Sequence, residues 1–311
     1  MQKLAFLFPG QGSQYVGMAK DFKENYPEAR ELLQKADDIL GYKLSEIILE
    51  GPEETLRSTV NTQPAILTVS TICWELIKKE GIIPDYAAGH SLGEYSALVA
   101  AKCIDFPDAL KLVSKRGKFM EEAIPAGIGA MAAILGLANE KVEDICSRID
   151  GVVETVNYNC PGQLVIAGEK DKVEAASQLA VAEGAKRAIL LNVSGPFHSS
   201  LMEPAAEKFA HELGKVDFKS PNFPIVANLN AELVECPDKI KNSLNGQIYN
   251  PVLWDMSIRK LIELGVDTFV EVGPSKVLSS LMKKIDKNVK VYNVENVESL
   301  NNTIKELKGD K

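Results

Sequence analysis

The chain has 311 residues, with 35 lysines and arginines against 43 aspartates and glutamates and a formal net charge of −8; this length supports one large domain or two modest ones with a sizeable core, and the acidic balance argues against nucleic acid as the main partner. No apolar run is long enough to span a bilayer and the short run after Lys3 does not read as a signal peptide, so no membrane association is expected. The five cysteines, Cys73, Cys103, Cys146, Cys160 and Cys236, are scattered with no C-x-x-C pair, which favours neither a metal site nor a disulfide framework and points to the cytoplasm.

Leu4-Ala5-Phe6-Leu7-Phe8 is a continuous apolar run and predicts a buried strand. It ends in Pro9-Gly10-Gln11-Gly12-Ser13-Gln14, where two glycines free the backbone around Gln11 for close approach to another group. No Gly-Lys-Ser/Thr follows, so this is not a P-loop. A helix of mixed polarity is expected over residues 18–40. A long amphipathic helix is expected over 63–79, capped by Thr62 and closed by Gly81. It delivers the chain to the apolar run 82–88 and then to Gly89-His90-Ser91-Leu92-Gly93-Glu94.

Strand, sharp turn and Ala-rich helix around G-x-S-x-G read as a nucleophile elbow. The turn is tight, so the residues flanking the serine must be small, and Gly89 and Gly93 meet that need. The turn lifts the Ser91 hydroxyl off the strand end. The Leu92 N–H, at the helix start, can donate to a developing oxyanion. The alternative is an ordinary Gly-rich turn, since a bare G-x-S-x-G is common.

A further helix is expected over 107–122, opened by Pro107. At ~100° per residue, Lys111, Lys115, Lys118 and Glu122 share a polar arc, whereas Arg116 falls among Ala109, Val113 and Met120. A guanidinium on an inward face needs a partner. The partner is either an internal carboxylate in a structural ion pair or the carboxylate of a ligand held bidentately. Residues 126–195 follow a different pattern: strands at 131–137, 152–157, 163–167 and 187–193, helices at 139–149 and 172–183. The order βαββαβ predicts a ferredoxin-like unit inserted into the larger domain, with Gly127, Gly129 and Gly195-Pro196 as hinges. The larger domain, 1–125 and 196–311, resumes with a helix at 201–213, a strand at 223–228, a helix at 251–264 and strands at 268–272 and 289–294. Alternating strands and helices predict an α/β fold with a mostly parallel sheet covered on both faces.

Ser91 needs a base, and the chain has three histidines. His90 adjoins Ser91 and should point away from it. His211 lies mid-helix beside Glu212 and reads as a surface residue. His198, in a Gly-Pro loop before a helix, remains by elimination; the alternative is a loop histidine without a role. No Asp or Glu stands out as its orienting partner.

Phe8-Pro9-Gly10-Gln11-Gly12-Ser13-Gln14, Thr62-Gln63-Pro64-Ala65, the elbow, Arg116-Gly117 with Met120, and Gly195-Pro196-Phe197-His198-Ser199 form a set. Asn157-Tyr158-Asn159, Gln163, Gln247-Ile248-Tyr249-Asn250-Pro251 and Val272-Gly273-Pro274 belong to it too. In that order and over essentially the whole chain, they resemble the malonyl-CoA:acyl-carrier-protein transacylases. The resemblance implies an α/β-hydrolase-like large domain with a ferredoxin-like insertion. It implies ping-pong transfer of malonyl from malonyl-CoA to the phosphopantetheine thiol of acyl carrier protein, for fatty-acid elongation; a cytoplasmic monomer is expected. Both thiol carriers are substrates, and neither a cofactor nor a metal is implied. Ser91 is then the nucleophile, His198 the base, and Gln11 and Leu92 supply the oxyanion N–H groups. Arg116 holds the free malonyl carboxylate, and the Gln247 backbone carbonyl orients His198. Gln63, Asn157, Asn159 and Phe197 are implied as pocket residues, with the Phe197 ring crowding a methyl branch; one methylene is worth only ~1–3 kcal/mol.

An acidic carrier docking on an acidic chain needs a local basic face. Lys111, Lys115 and Lys118 form one, and Lys186-Arg187 and Lys283-Lys284 are others. Three rival readings share parts of this constellation: a serine esterase or thioesterase, a free-standing polyketide acyltransferase and a non-catalytic scaffold. Arg116 separates the first, because a simple esterase has no need of an inward cation.

Overall fold

A strand that is apolar at every position must be covered on both faces. The computed structural model, which describes residues 3–125 and 127–309, uses the run at 4–8 in this way. The strands of the described residues are β1 (Leu4–Phe8), β2 (Tyr86–Gly89), β3 (Gly129–Leu135), β4 (Val153–Cys160), β5 (Gln163–Glu169), β6 (Arg187–Leu190), β7 (Ile225–Val226), β8 (Leu233–Val234), β9 (Thr268–Val272) and β10 (Lys290–Val294). The larger sheet has the order β10-β9-β1-β2-β7-β8. All its pairings are parallel except β7 with β8. Phe6 and Phe8 point into one core with Ala87 and Val270, under the helices Thr59–Lys79 and Gly93–Ala100. Ala5 and Leu7 point into the other with Ala88 and Phe269, under the helices Trp254–Glu263 and Val277–Ile285. The mixed α/β class and the mostly parallel sheet therefore match expectation.

The smaller sheet is antiparallel throughout, with order β4-β5-β3-β6. Its helices Asn139–Ser147 and Lys170–Ala182 cover one face through Ile134, Ile166, Val142 and Val173. The opposite face, with Met131, Val165 and Ala167, packs into the core of the larger sheet. The expected border at Ala126 lies outside the described residues.

Several boundaries depart from the sequence reading for local reasons. The helix expected over 18–40 is two, Lys20–Asn25 and Pro27–Leu40, because the residue before a proline avoids helical conformation; Tyr26 is extended at φ −126°, ψ 125°. Thr62 is not a cap. The long helix starts at Thr59, and the Thr62 hydroxyl donates back to the Leu56 carbonyl at 2.6 Å. The helix expected from Pro251 starts at Trp254, because Val252 is drawn into an extended pairing with the smaller sheet: its N–H donates to Val156 O and its carbonyl accepts from Tyr158 N–H. β8 and the helix Pro237–Gly246 have no counterpart in the sequence reading, although Pro237 at a first helical position followed by Asp238 is a start signal. No helix among the described residues is long and apolar enough to cross a membrane.

The elbow is clamped by backbone contact. A Cβ on Gly93 would fall 2.0 Å from the Phe8 carbonyl oxygen, and one on Gly89 2.0 Å from the Gly93 carbonyl. Neither neighbour is a side chain that can turn aside. Gly93→Ala is expected to cost on the order of 3 kcal/mol or more, read as a lower urea midpoint. Gly214→Ala, with open space around the new methyl, should leave the midpoint unchanged or raise it slightly. Equal midpoints for the two variants would show that the close approach is not a constraint.

Candidate active site

Ser91 stands between β2 and the helix Gly93–Ala100 with φ 50°, a left-handed conformation that costs a non-glycine residue roughly 1–3 kcal/mol. Two amide side chains hold it there. Asn228 accepts from the Ser91 N–H at 2.6 Å and donates to the Gly89 carbonyl at 2.7 Å. Gln247 Nε2 donates to the Ser91 carbonyl at 3.1 Å. His90 turns away, as expected: its Nε2 meets Asn159 Oδ1 at 2.8 Å and its ring lies 5.4 Å from that of Trp254.

The Ser91 hydroxyl lies 2.8 Å from His198 Nε2, and His198 Nδ1 lies 2.7 Å from the Gln247 backbone carbonyl. A carbonyl only accepts, so Nδ1 carries the proton and Nε2 presents its lone pair to Ser91. Burial, and after it the Arg116 charge, push the His198 pKa down to about 3, against the Gln247 bond, which raises it. The imidazole is thus neutral at ordinary pH. The third histidine, His211, is exposed on its helix.

Arg116 is 1% exposed, on the buried side of the helix Phe106–Glu122 with Ala109, Val113 and Met120. It pairs with no carboxylate among the described residues. Nη1 donates to Gln63 Oε1 at 2.8 Å, and Nη2 to Gln247 Oε1 at 2.9 Å and to Ser91 Oγ at 3.3 Å. The guanidinium lies 5.5 Å from the Tyr95 ring centroid, and the buried Tyr95 side chain is the neighbour it faces on that side. The alternative of a structural ion pair is therefore absent. The nearest charge compensation is indirect. Gln247 Nε2 donates to Glu94 Oε2 at 2.8 Å, and Glu94 also accepts from Asn228 N–H at 3.0 Å and Ser243 Oγ at 3.3 Å. Burial raises the Glu94 carboxyl to about 7, while these donors and Arg116 favour its ionised form.

The Gln11 loop abuts the elbow: a Cβ on Gly10 would fall 2.3 Å from the His90 carbonyl oxygen, and His90 N–H donates to Phe8 O at 2.9 Å. Among the described residues, the N–H groups of Gln11 and Leu92 have no intramolecular acceptor. A cleft of about 570 Å³ opens between the two sheets, lined by Gln11, Gly12, Ala133, Asn159, Gln163 and Val165 among others. Ser91 is 9% exposed, and Asn159 on the cleft wall is hydrogen-bonded to its neighbour His90.

Of the residues singled out from sequence, Ser91, His198, Arg116, Gln63 and Gln247 form one hydrogen-bonded group, with Gln11, Leu92 and Asn159 adjoining it. Phe197 is buried beside His198 in the core of the larger sheet. Asn157 is not joined to the group; it sits at an irregularity of β4, paired through its backbone with Val165 and Val252, and its side-chain oxygen is buried without a partner. Sequence reasoning missed Asn228, which follows a two-residue strand in a polar loop, and gave Glu94 no role although it ends the elbow motif. It found the backbone of Gln247 but not its side chain. No group of three or more His, Cys, Asp or Glu residues that could hold a metal ion occurs among the described residues.

Residues 5–310 match the family model of the acyl transferase domain. The chain is 50% identical to malonyl CoA-acyl carrier protein transacylase of Bacillus subtilis (strain 168), over 99% of this chain and 98% of the relative. It is 48% identical to the Escherichia coli (strain K12) protein of the same name, over 92% and 93%. The acyl-carrier-protein S-malonyltransferase structure from Burkholderia pseudomallei 1710b superposes with a TM-score of 0.95 at 45% identity, covering 98% of this chain and 100% of that one. A malonyl-transacylase solved in complex with a type II PKS acyl-carrier protein superposes with a TM-score of 0.96 at 43% identity, over 98% and 100%. The chain belongs to the acyl transferase family and, within it, to the malonyl CoA-acyl carrier protein transacylases.

Proposed function

We propose that this protein transfers malonyl from malonyl-CoA to the phosphopantetheine thiol of acyl carrier protein through an ester on Ser91, in the cytoplasm and as a monomer. The observation that carries the reading is Arg116: a buried guanidinium without a carboxylate partner, 3.3 Å from the serine hydroxyl. A cation at that distance suits an acyl group that ends in a free carboxylate, and a plain esterase has no use for it.

In the first half-reaction Ser91 Oγ attacks the thioester carbonyl and its proton passes to His198 Nε2. The oxyanion is received by the free N–H groups of Leu92 and Gln11. Collapse expels the CoA sulfur, which takes the proton from His198. In the second half the carrier thiol gives its proton to His198 and its sulfur attacks the ester. Ser91 leaves and is reprotonated. Gln63 and Gln247 hold the guanidinium while its remaining donors meet malonyl. Asn159 belongs to the pocket wall, and Phe197 and Asn157 are assigned to it on the family resemblance alone.

The inserted unit is read as ferredoxin-like on the strand order β4-β5-β3-β6 and its two covering helices. The remainder, 1–125 and 196–311, is read as α/β-hydrolase-like on its parallel sheet and elbow. Of the basic faces, Lys115 is tied to Glu212 and Lys118 lies 3.9 Å from Glu122, so two of that arc's three lysines already have carboxylate neighbours. Lys284 instead donates to Gln163 on the cleft wall at 3.2 Å and is the better docking cation. The solved complex with a type II PKS carrier makes polyketide supply the second reading; the same assay run with both carriers ranks them.

Arg116→Ala is expected to lower malonyl transfer by roughly a hundredfold or more, the scale of losing a charge-assisted bidentate pair, and acetyl transfer far less; equal losses would make Arg116 structural. For His198, the depressed pKa means that the unfolded chain binds the proton first as pH falls. Its contribution to stability is present above the ordinary value of 6.5 and is lost as pH falls from there toward about 3. Imidazole nitrogen NMR should accordingly find His198 neutral and protonated on Nδ1 at pH 5, and a charged ring at that pH would refute the buried-base assignment. Lys284→Glu should raise KM for the carrier protein and leave KM for malonyl-CoA unchanged, and a variant with both constants unaltered removes Lys284 from the docking face.

A further inference from the structure

We infer that Glu94 is a positioning residue for malonyl selectivity: it fixes which way round the Gln247 side-chain amide lies, and through it where Arg116 is held. The Gln247 backbone carbonyl faces His198, its Oε1 faces Arg116, and its Nε2 donates most closely to Glu94 at 2.8 Å, with the Ser91 carbonyl at 3.1 Å and Asn228 Oδ1 at 3.3 Å as longer acceptors. An amide can turn over by exchanging its two ends. Turned over, Gln247 would aim hydrogens at the guanidinium and release it from above Ser91. Glu94 Oε2 opposes this: it also accepts the Asn228 backbone N–H, which can only donate, so this oxygen stays an acceptor whether or not the carboxyl carries a proton on Oε1. Glu94 acts from a fully buried place with three donors on its two oxygens, from Gln247, Asn228 and Ser243. None of the reacting atoms touches it, so its effect passes through Gln247.

The inference rests on Arg116 as malonyl anchor, and a substitution series separates the two. Glu94→Gln can keep every bond: its oxygen accepts from Gln247 and Asn228, and the Ser243 hydroxyl rotates to accept from its amide. Glu94→Ala removes the acceptor. Formation of the Ser91 ester from malonyl-CoA and from acetyl-CoA, followed by rapid quench and intact mass, gives the selectivity of each variant. Glu94→Gln is expected to hold the wild-type malonyl-to-acetyl ratio within about threefold. Glu94→Ala should lower that ratio by roughly ten- to a hundredfold, the scale of one hydrogen bond to a charged group. Glu94→Met, which fills the space without an acceptor, takes the place of Glu94→Ala if the latter unfolds. A folded Glu94→Gln that loses the ratio, or a Glu94→Ala or Glu94→Met that slows both acyl groups equally, overturns the inference. If Arg116→Ala keeps the malonyl preference, the anchor reading fails as well; if only the Glu94 series behaves as wild type, the anchor stands and the positioning role falls.

Discussion

The site depends on holding a serine at φ 50° at the end of a parallel strand. That conformation exposes the hydroxyl and the following N–H together, and nothing in the serine itself favours it. Three constraints hold it. Gly89 and Gly93 allow backbone to pass where any Cβ would collide. Asn228 spans Ser91 N–H and the Gly89 carbonyl, so both sides of the turn are fixed by one side chain. Gln247 takes the Ser91 carbonyl. Since Gln247 also holds His198 and Arg116, the strain at the serine and the placing of base and cation are set together. A shift in the helix Pro237–Gly246, which leads into Gln247, would reach all three.

Burying a guanidinium usually calls for an ion pair. Here the cation is instead surrounded by the oxygens of Gln63, Gln247 and Ser91, with Glu94 one amide further away. The arrangement has a chemical logic. A direct Arg–carboxylate pair would satisfy the guanidinium and compete with any ligand carboxylate for it. An amide between the two groups couples them while hydrogen-bonding capacity remains on Arg116, whose Nη1 has Gln63 as its one acceptor among the described residues.

The parts of this design that repeat a local rule were legible in the sequence. The apolar strand at 4–8, the elbow with its glycines and the inward Arg116 each carry a pattern that does not depend on distant residues. The βαββαβ order was readable because each element has its own periodicity. What escaped was set by tertiary pairing. β8 is two residues long and exists because β7 offers it an edge. Val252 is extended only because β4 is there to receive it. Asn228 lies in a loop whose composition is that of any turn. Gln247 was placed by resemblance as a backbone acceptor, and no pattern could show that its side chain spans the serine and the arginine, since these lie 156 and 131 positions away.

A base held at about 3 looks poorly matched to its task, and a thiol is the acceptor that a weak base can still assist. The largest cause of the depression is burial, and the second is Arg116. In the proposed malonyl ester the substrate carboxylate offsets the Arg116 charge, which removes the smaller cause and leaves the larger. His198 then remains a weak base. A thiol ionises near ~8.5, and bulk water near ~15.7. A weak base can assist the first far better than the second, because proton transfer from water to it is uphill by several more units. That difference belongs to the two nucleophiles and would hold for a base of any strength, so the burial of His198 keeps the imidazole neutral but does not itself discriminate between thiol and water. Water exclusion by the carrier protein over the cleft would add to the preference for sulfur, which rests on the greater acidity of the thiol and on its delivery to the neutral Nε2 of His198.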